Sequence, residues 1–301
     1  MYYNLSNELF TKVIPTKRIG KFIQFPITRI FIAILFLAPV SILANLIGLE
    51  LLKSLAEPYY TLLRYLRDII LFILFLVAYR SYTNYVENRK ALELNTKSFI
   101  PEIGLGFFIS IGVVCFMVIL LMLLGYYRID SFNSPQVFAD RIAEYYMGSF
   151  IEELIFRLIL FKLVEEFAGS WIGIIVQGLV FGFAHIGNEN ATIWTSLSLV
   201  ISDTILFGAA YMLTRRIWLI WGMHFSWNFF QEGIFGMPNS GYQKDGLIRP
   251  IINGPEWITG GKFGIEASII STLILFVLGL IILKKAIEKN QLVLPVWKRN
   301  K

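Results

Sequence analysis

The sequence is short of almost everything from which a soluble or secreted domain is built. It holds one cysteine, Cys115, in 301 residues, which excludes an intrachain disulfide and any cysteine cluster for a metal. It holds two histidines, so imidazole chemistry has only those two rings to work with. Charged residues make up 16% of the chain, whereas a soluble domain carries about 25%. The HExxH helix of zinc peptidases is absent. No repeat of fixed period and no low-complexity segment occurs, and no cleaved leader is apparent before the first apolar run.

What the chain has instead is sequence suited to hydrocarbon. Hydrophobic residues make up 56% and the mean hydropathy is +0.64. Apolar runs near 20 residues recur, the length that crosses a bilayer core of about 30 Å. The expectation is an all-α, polytopic membrane bundle of about eight transmembrane helices, at roughly 30–48, 62–80, 103–125, 146–164, 171–187, 193–213, 217–235 and 265–283. Arg64, Arg67 and Asp68 lie in the first turns of the second run, placed either to pair locally or to snorkel.

A single transmembrane domain, 30–285, with a motif core at 145–235, is expected between a basic N-terminal arm, 1–29, and a basic tail, 286–301. Leu9, Phe10, Val13, Ile19, Phe22 and Ile23 stand among lysines in the arm, which suits either a helix on the membrane surface or a solvated segment. With a cytoplasmic N-terminus, the inner segments hold 18 lysines and arginines and the outer ones 8. Both termini are therefore expected in the cytoplasm, with the chain in the plasma membrane. The net charge of +6 gathers mostly at the two ends and reads as topology, not as nucleic-acid binding. The outer segment 233–264 packs eight glycines and three prolines into 32 residues. It is either disordered or functional, as a lid or a re-entrant segment.

Ionisable residues inside spans are rare and mark function or a buried pair. "EELIFR" places Glu152, Glu153 and Arg157 in the fourth span, "FGFAH" ends the fifth at His185, and "HFSWN" sets His224 and Asn228 in the seventh. Glu153 and Arg157 are four apart with the acid first, so they share a helix face and neutralise one another. Glu152 is turned about 100° away and is left with chemical work to do. His224 and Asn228, also four apart, face one region. Span depths let Glu152, His185, His224 and Asn228 meet in one cavity. Ser202 and Asp203 in the sixth span read as helix packing, with Asp203 placed to tune the site.

A poorly solvated carboxylate beside histidine suits general-base activation of water. A second histidine and an amide suit an oxyanion hole. The implied reaction is peptide-bond hydrolysis within the membrane. A metal version uses Glu152, His185 and His224 as a two-histidine, one-carboxylate zinc site with an open position. Both versions stay open at this level.

The order and spacing EExxxR, FxxxH and HxxxN over about residues 145–235 resemble the CPBP family of intramembrane peptidases, which includes CAAX prenyl endopeptidases and bacteriocin-processing or immunity proteins. The resemblance implies a helical core that opens laterally to a peptide. It implies Glu152 as base, His185 as its partner, His224 and Asn228 at the oxyanion, and Glu153 and Arg157 in support. It leaves metallopeptidase and metal-free glutamate mechanisms both open. The expected partners are membrane lipid and a peptide or lipidated protein substrate. A CAAX tail, which is reached from the cytoplasm, does not follow, because the orientation puts the polar set toward the outer half. The competing classes are a non-catalytic immunity or binding protein of the same fold, and a transporter or proton relay.

Overall fold

The computed structural model describes residues 6–48, 54 and 59–299. It is helical almost throughout, and the chain divides into two compact units that meet in sequence between Asn95 and Thr96. All eight expected spans fall on helices. Five stretches are long and apolar enough to cross a membrane by length and composition: Pro26–Leu46, Leu92–Leu123, Ser170–Gly187, Ile193–Thr214 and Ile269–Glu288. The other three expected spans carry the charged or motif residues, which lower their hydropathy. Exposed Phe31, Leu35, Phe108, Ile119, Ile175 and Leu273 give these helices the apolar outer faces of an integral membrane protein.

The first unit pairs α1 (Pro26–Leu46) with α2 (Tyr60–Tyr85). Its buried polar centre is a chain of charges: Arg29 donates to Glu87 at 2.5 Å, and Arg89 bridges Glu87 and Glu93. Tyr82 and Tyr79 donate to the same two carboxylates. Burying such charges is tolerated because each carboxylate has several partners. In the N-terminal arm, Ile14, Ile19 and Phe22 are exposed, while part of it packs inward. Leu9 and Phe10 are buried, and the Lys12 N–H bonds to Glu87 O at 2.9 Å. Arg67 pairs locally with Asp68 at 3.6 Å.

The second unit holds α3 (Phe99–Leu123), β1 (Tyr127–Phe132), α4 (Gln136–Glu153), α5 (Ser170–Ala184), α6 (Ile193–Thr214), α7 (Ile217–Asn228), β2 (Ile248–Ile252) and α8 (Ile269–Glu288). α6 is the centre, with 67% of its apolar window buried. It packs on α5 and α8, while α7 packs on α3 and α4. A capping box starts α6: Thr192 and Thr195 exchange side-chain-to-backbone hydrogen bonds. Its far end turns at Arg215, in a left-handed conformation with φ +57° and ion-paired with Glu165.

Small residues set the helix separations. A Cβ on Gly182 of α5 would lie 2.7 Å from Ser196 O on α6, and one on Gly222 of α7 would lie 2.6 Å from Ile103 O on α3. Side chains there would push the backbones apart. In the basic tail Gln291 and Val293 are buried, and the Val293 N–H bonds to Ser170 Oγ at 2.8 Å.

The glycine-rich segment is ordered. β2 within it pairs antiparallel with β1, with a bulge at Asp130. This two-stranded ribbon, absent from the sequence expectation, ties the segment to the chain just before α4.

Candidate active site

α4 does not stop at Glu153. It continues through a π-helical stretch, Leu154–Phe161, into a further helical turn, Lys162–Ala168. α7 likewise passes at Asn228 into a π-helical stretch, Phe229–Ile234. Both widened turns begin at the motif residues, and widened turns of this kind recur at functional sites.

The two glutamates diverge as the 100° step requires. Glu153 is fully buried, and Arg157 Nη1 donates to its Oε1 at 3.0 Å. The Arg157 guanidinium lies between the rings of Phe181 and Phe207, 4.6 and 4.8 Å from their centroids. Two aromatic faces thus stabilise the cation that the carboxylate neutralises. Glu152 points the other way. Its side chain is 39% exposed and lines a cavity of about 460 Å³.

His224 joins the pair in a way the i, i+4 spacing did not reveal. Its Nδ1 lies 2.7 Å from Glu153 Oε1. A carboxylate only accepts, so Nδ1 carries the proton, and Nε2 is left facing Glu152 Oε2 at 3.8 Å. Glu153 therefore does more than balance Arg157: it also orients the imidazole. On α5, His185 Nδ1 donates to Phe181 O at 2.8 Å, a bond that caps the end of the helix. This bond also fixes the tautomer, leaving Nε2 with the lone pair when the ring is neutral.

Glu152, His185, His224 and Asn228 all line the 460 Å³ cavity. His185, His224 and Asn228 also line a smaller space behind it, of about 40 Å³, with Asp203 and Glu266. Asp203 is buried there and within electrostatic reach of Arg157 and His224. Among the described residues, no three of His, Cys, Asp and Glu gather closely enough to hold a metal ion. The zinc reading therefore finds no fitting ligand set.

The sequence reading missed the roof. Asn239, Ser240, Tyr242 and Lys244 line the same cavity. Lys244 ion-pairs with Glu144 of α4, and its N–H bonds to Glu232 Oε1 at 2.8 Å. The glycines and prolines of 233–264 signalled tight turns, but nothing in their order named the surface they would cover.

Residues 134–230 match the family described as type II CAAX prenyl endopeptidase, Rce1-like. Over this stretch the chain is similar to Rce1-like proteases. The match spans α4, α5, α6 and α7 and includes all three motifs. The similarity supports a protease of the membrane-embedded CAAX type in general terms, a family that acts on a peptide or protein. The cavity roof lies outside the matched Rce1-like segment. No curated protein and no solved structure matches the chain.

Proposed function

We propose that the protein is an intramembrane endopeptidase in which Glu152 activates water to hydrolyse a peptide bond in a membrane-associated or lipidated protein. The observation that carries this reading is the convergence of Glu152, His185, His224 and Asn228 on one cavity, with the neighbouring Glu153 sequestered. Glu152 takes a proton as the water oxygen attacks the scissile carbonyl carbon, and the lone pair on His185 Nε2 helps to orient that water. Asn228 Nδ2 and the Nε2–H of an imidazolium at His224 donate to the oxyanion, with Glu153 holding Nδ1. Collapse breaks the C–N bond, and Glu152 returns its proton to the leaving amine. The water supplies the new carboxylate oxygen, and Glu152 ends as it began.

No step of this route needs a metal. The lysine and arginine bias supports both termini in the cytoplasm, and the plasma membrane is the proposed location.

The test is cleavage of lipidated-tail peptides, a farnesylated CAAX peptide among them, and an unmodified peptide library by purified protein in detergent. Wild type is compared with Glu152→Gln, with and without chelator. The expected result is cleavage by wild type, loss in the variant and indifference to chelator. Equal cleavage by both proteins would refute Glu152 as the base. Loss on chelation, restored by zinc, would refute the metal-free route.

A further inference from the structure

The roof of the cavity is a two-residue hairpin turn whose backbone is fully engaged. Asn239 and Tyr242 exchange N–H···O bonds of 2.9 and 3.0 Å, and Ser240 and Gly241 between them have φ +50° and +92°. Two positive φ values give a type I′ turn, which suits glycine at its second position. A Cβ on Gly241 would also lie 1.8 Å from Glu189 O. The turn is pinned from three directions. Asn188 and Asn190 donate to the carbonyls of Ser240 and Gly241 at 2.8 and 2.9 Å. The Ser240 N–H bonds to Glu266 Oε1 at 2.5 Å, and the Gly241 N–H to Phe263 O at 2.8 Å.

One group on this rigid turn is left over. Asn239 is 7% exposed, yet its Oδ1 has no hydrogen-bond partner among the described residues. The residue lines both the large cavity and the small space behind His224 and Asn228. A buried acceptor without a donor destabilises the folded state, so native structures seldom leave one unmet without a reason. The backbone around Asn239 is too well fastened for the side chain to be explained as a loose loop.

We propose that Asn239 is a substrate-binding residue whose carboxamide oxygen accepts a main-chain N–H of the bound peptide close to the scissile bond. A peptide brings one such donor per residue, whereas the acyl chains of lipid bring none. The inference rests on the peptidase reading and deepens it: the roof supplies recognition of a peptide main chain, separate from the hydrolytic set beneath. A site built around a buried acceptor rejects a ligand that lacks the matching donor.

The experiment starts from the best-cleaved fluorogenic peptide of the library above. It uses a series of analogues in which each main-chain N–H flanking the scissile bond is replaced in turn by an ester oxygen, the scissile amide being kept. The enzymes are wild type, Asn239→Leu, which is similar in size without an acceptor, Asn239→Asp, which keeps one, and Glu152→Gln. Thermal melting and monodisperse elution check the fold, and Asn239→Ala serves if the leucine variant does not fold.

The expected result is that wild type cleaves the amide parent about tenfold to a hundredfold better in kcat/KM than one of the ester analogues. Asn239→Asp should keep that preference, and Asn239→Leu should cleave the pair alike. The same amide-to-ester ratio in wild type and Asn239→Leu would overturn the proposal while leaving the peptidase reading intact, because the oxygen would then hold only water. Failure of both apolar variants to fold would also overturn it, by making Asn239 a structural residue. No cleavage of any peptide by wild type would overturn the peptidase reading and this inference with it.

Discussion

Two adjacent glutamates are expected to give opposite phenotypes. Glu153 is fully buried and its Oε1 accepts from both Arg157 and His224, at 3.0 and 2.7 Å. In Glu153→Gln, Arg157 keeps its charge but loses its counter-ion. Its Nε and Nη2 already lack hydrogen-bond partners among the described residues, and the buried Asp203 carboxyl within electrostatic reach makes no hydrogen bond to them. Breaking a buried pair on one side destabilises by about 3–5 kcal/mol. Glu152 faces the cavity with its side chain 39% exposed. Removing its charge should change stability by no more than about 0.5 kcal/mol, while removing a general base lowers the rate by about 10²–10⁴-fold.

The assay is reversible unfolding in mixed detergent micelles beside peptide cleavage, for both single variants and for Glu153→Leu with Arg157→Met. The double variant should be more stable than the sum of its two singles predicts, by at least about 2 kcal/mol, because it leaves no unpaired charge behind. A Glu153→Gln variant within about 1 kcal/mol of wild type, or additive singles, would refute the buried-pair reasoning. Full activity in Glu152→Gln would refute the division of labour between the two acids.

Other expectations concern the roof and the helix contacts. Burial raises the Glu144 carboxyl, but Lys244 and Arg141 lower it by more, so it titrates below the ordinary carboxylate range. A depressed pKa means that the latch to Lys244 contributes fully above the ordinary carboxylate value and is lost as pH falls through the lowered one. Both side chains are partly exposed, so the contribution is at most about 1 kcal/mol. The stability gap between wild type and Glu144→Gln, from melts across the pH range, should be widest near neutrality and vanish in strong acid; a gap that grows on acidification would refute it. Gly182→Ala places a methyl group against α6 and should destabilise by about 1–3 kcal/mol. Gly112→Ala on α3 meets nothing within 4 Å and should be neutral or stabilising by up to about 1 kcal/mol. Equal melting temperatures for these two variants would show that the α5–α6 approach is not set by Gly182.

Features that depend on neighbours along the chain were legible in the residues alone. Run length and apolarity set the helices, because a span's period and hydrophobicity are local properties. The four-residue steps from Glu153 to Arg157 and from His224 to Asn228 set which side chains share a face, because the helix pitch is constant. The three motifs in order also singled out the segment that the family match covers.

Features that join residues far apart came from the packing of the fold. His224 sits 71 positions from Glu153, and no periodicity joins them. Only the packing of α7 on α4 turns an ion pair into a three-member network that aims an imidazole at Glu152. The π-helical widening after Glu153 and Asn228 left no local mark, since it answers to packing around both helices. The ribbon from β1 to β2 lays the glycine-rich segment over the cavity, and glycine count alone is equally consistent with disorder. Asn239 shows the difference most plainly. In the sequence it is a polar residue in a loop, where solvent satisfies a carboxamide at no cost. In the fold it is buried over the site, and its oxygen needs a donor that no described residue supplies.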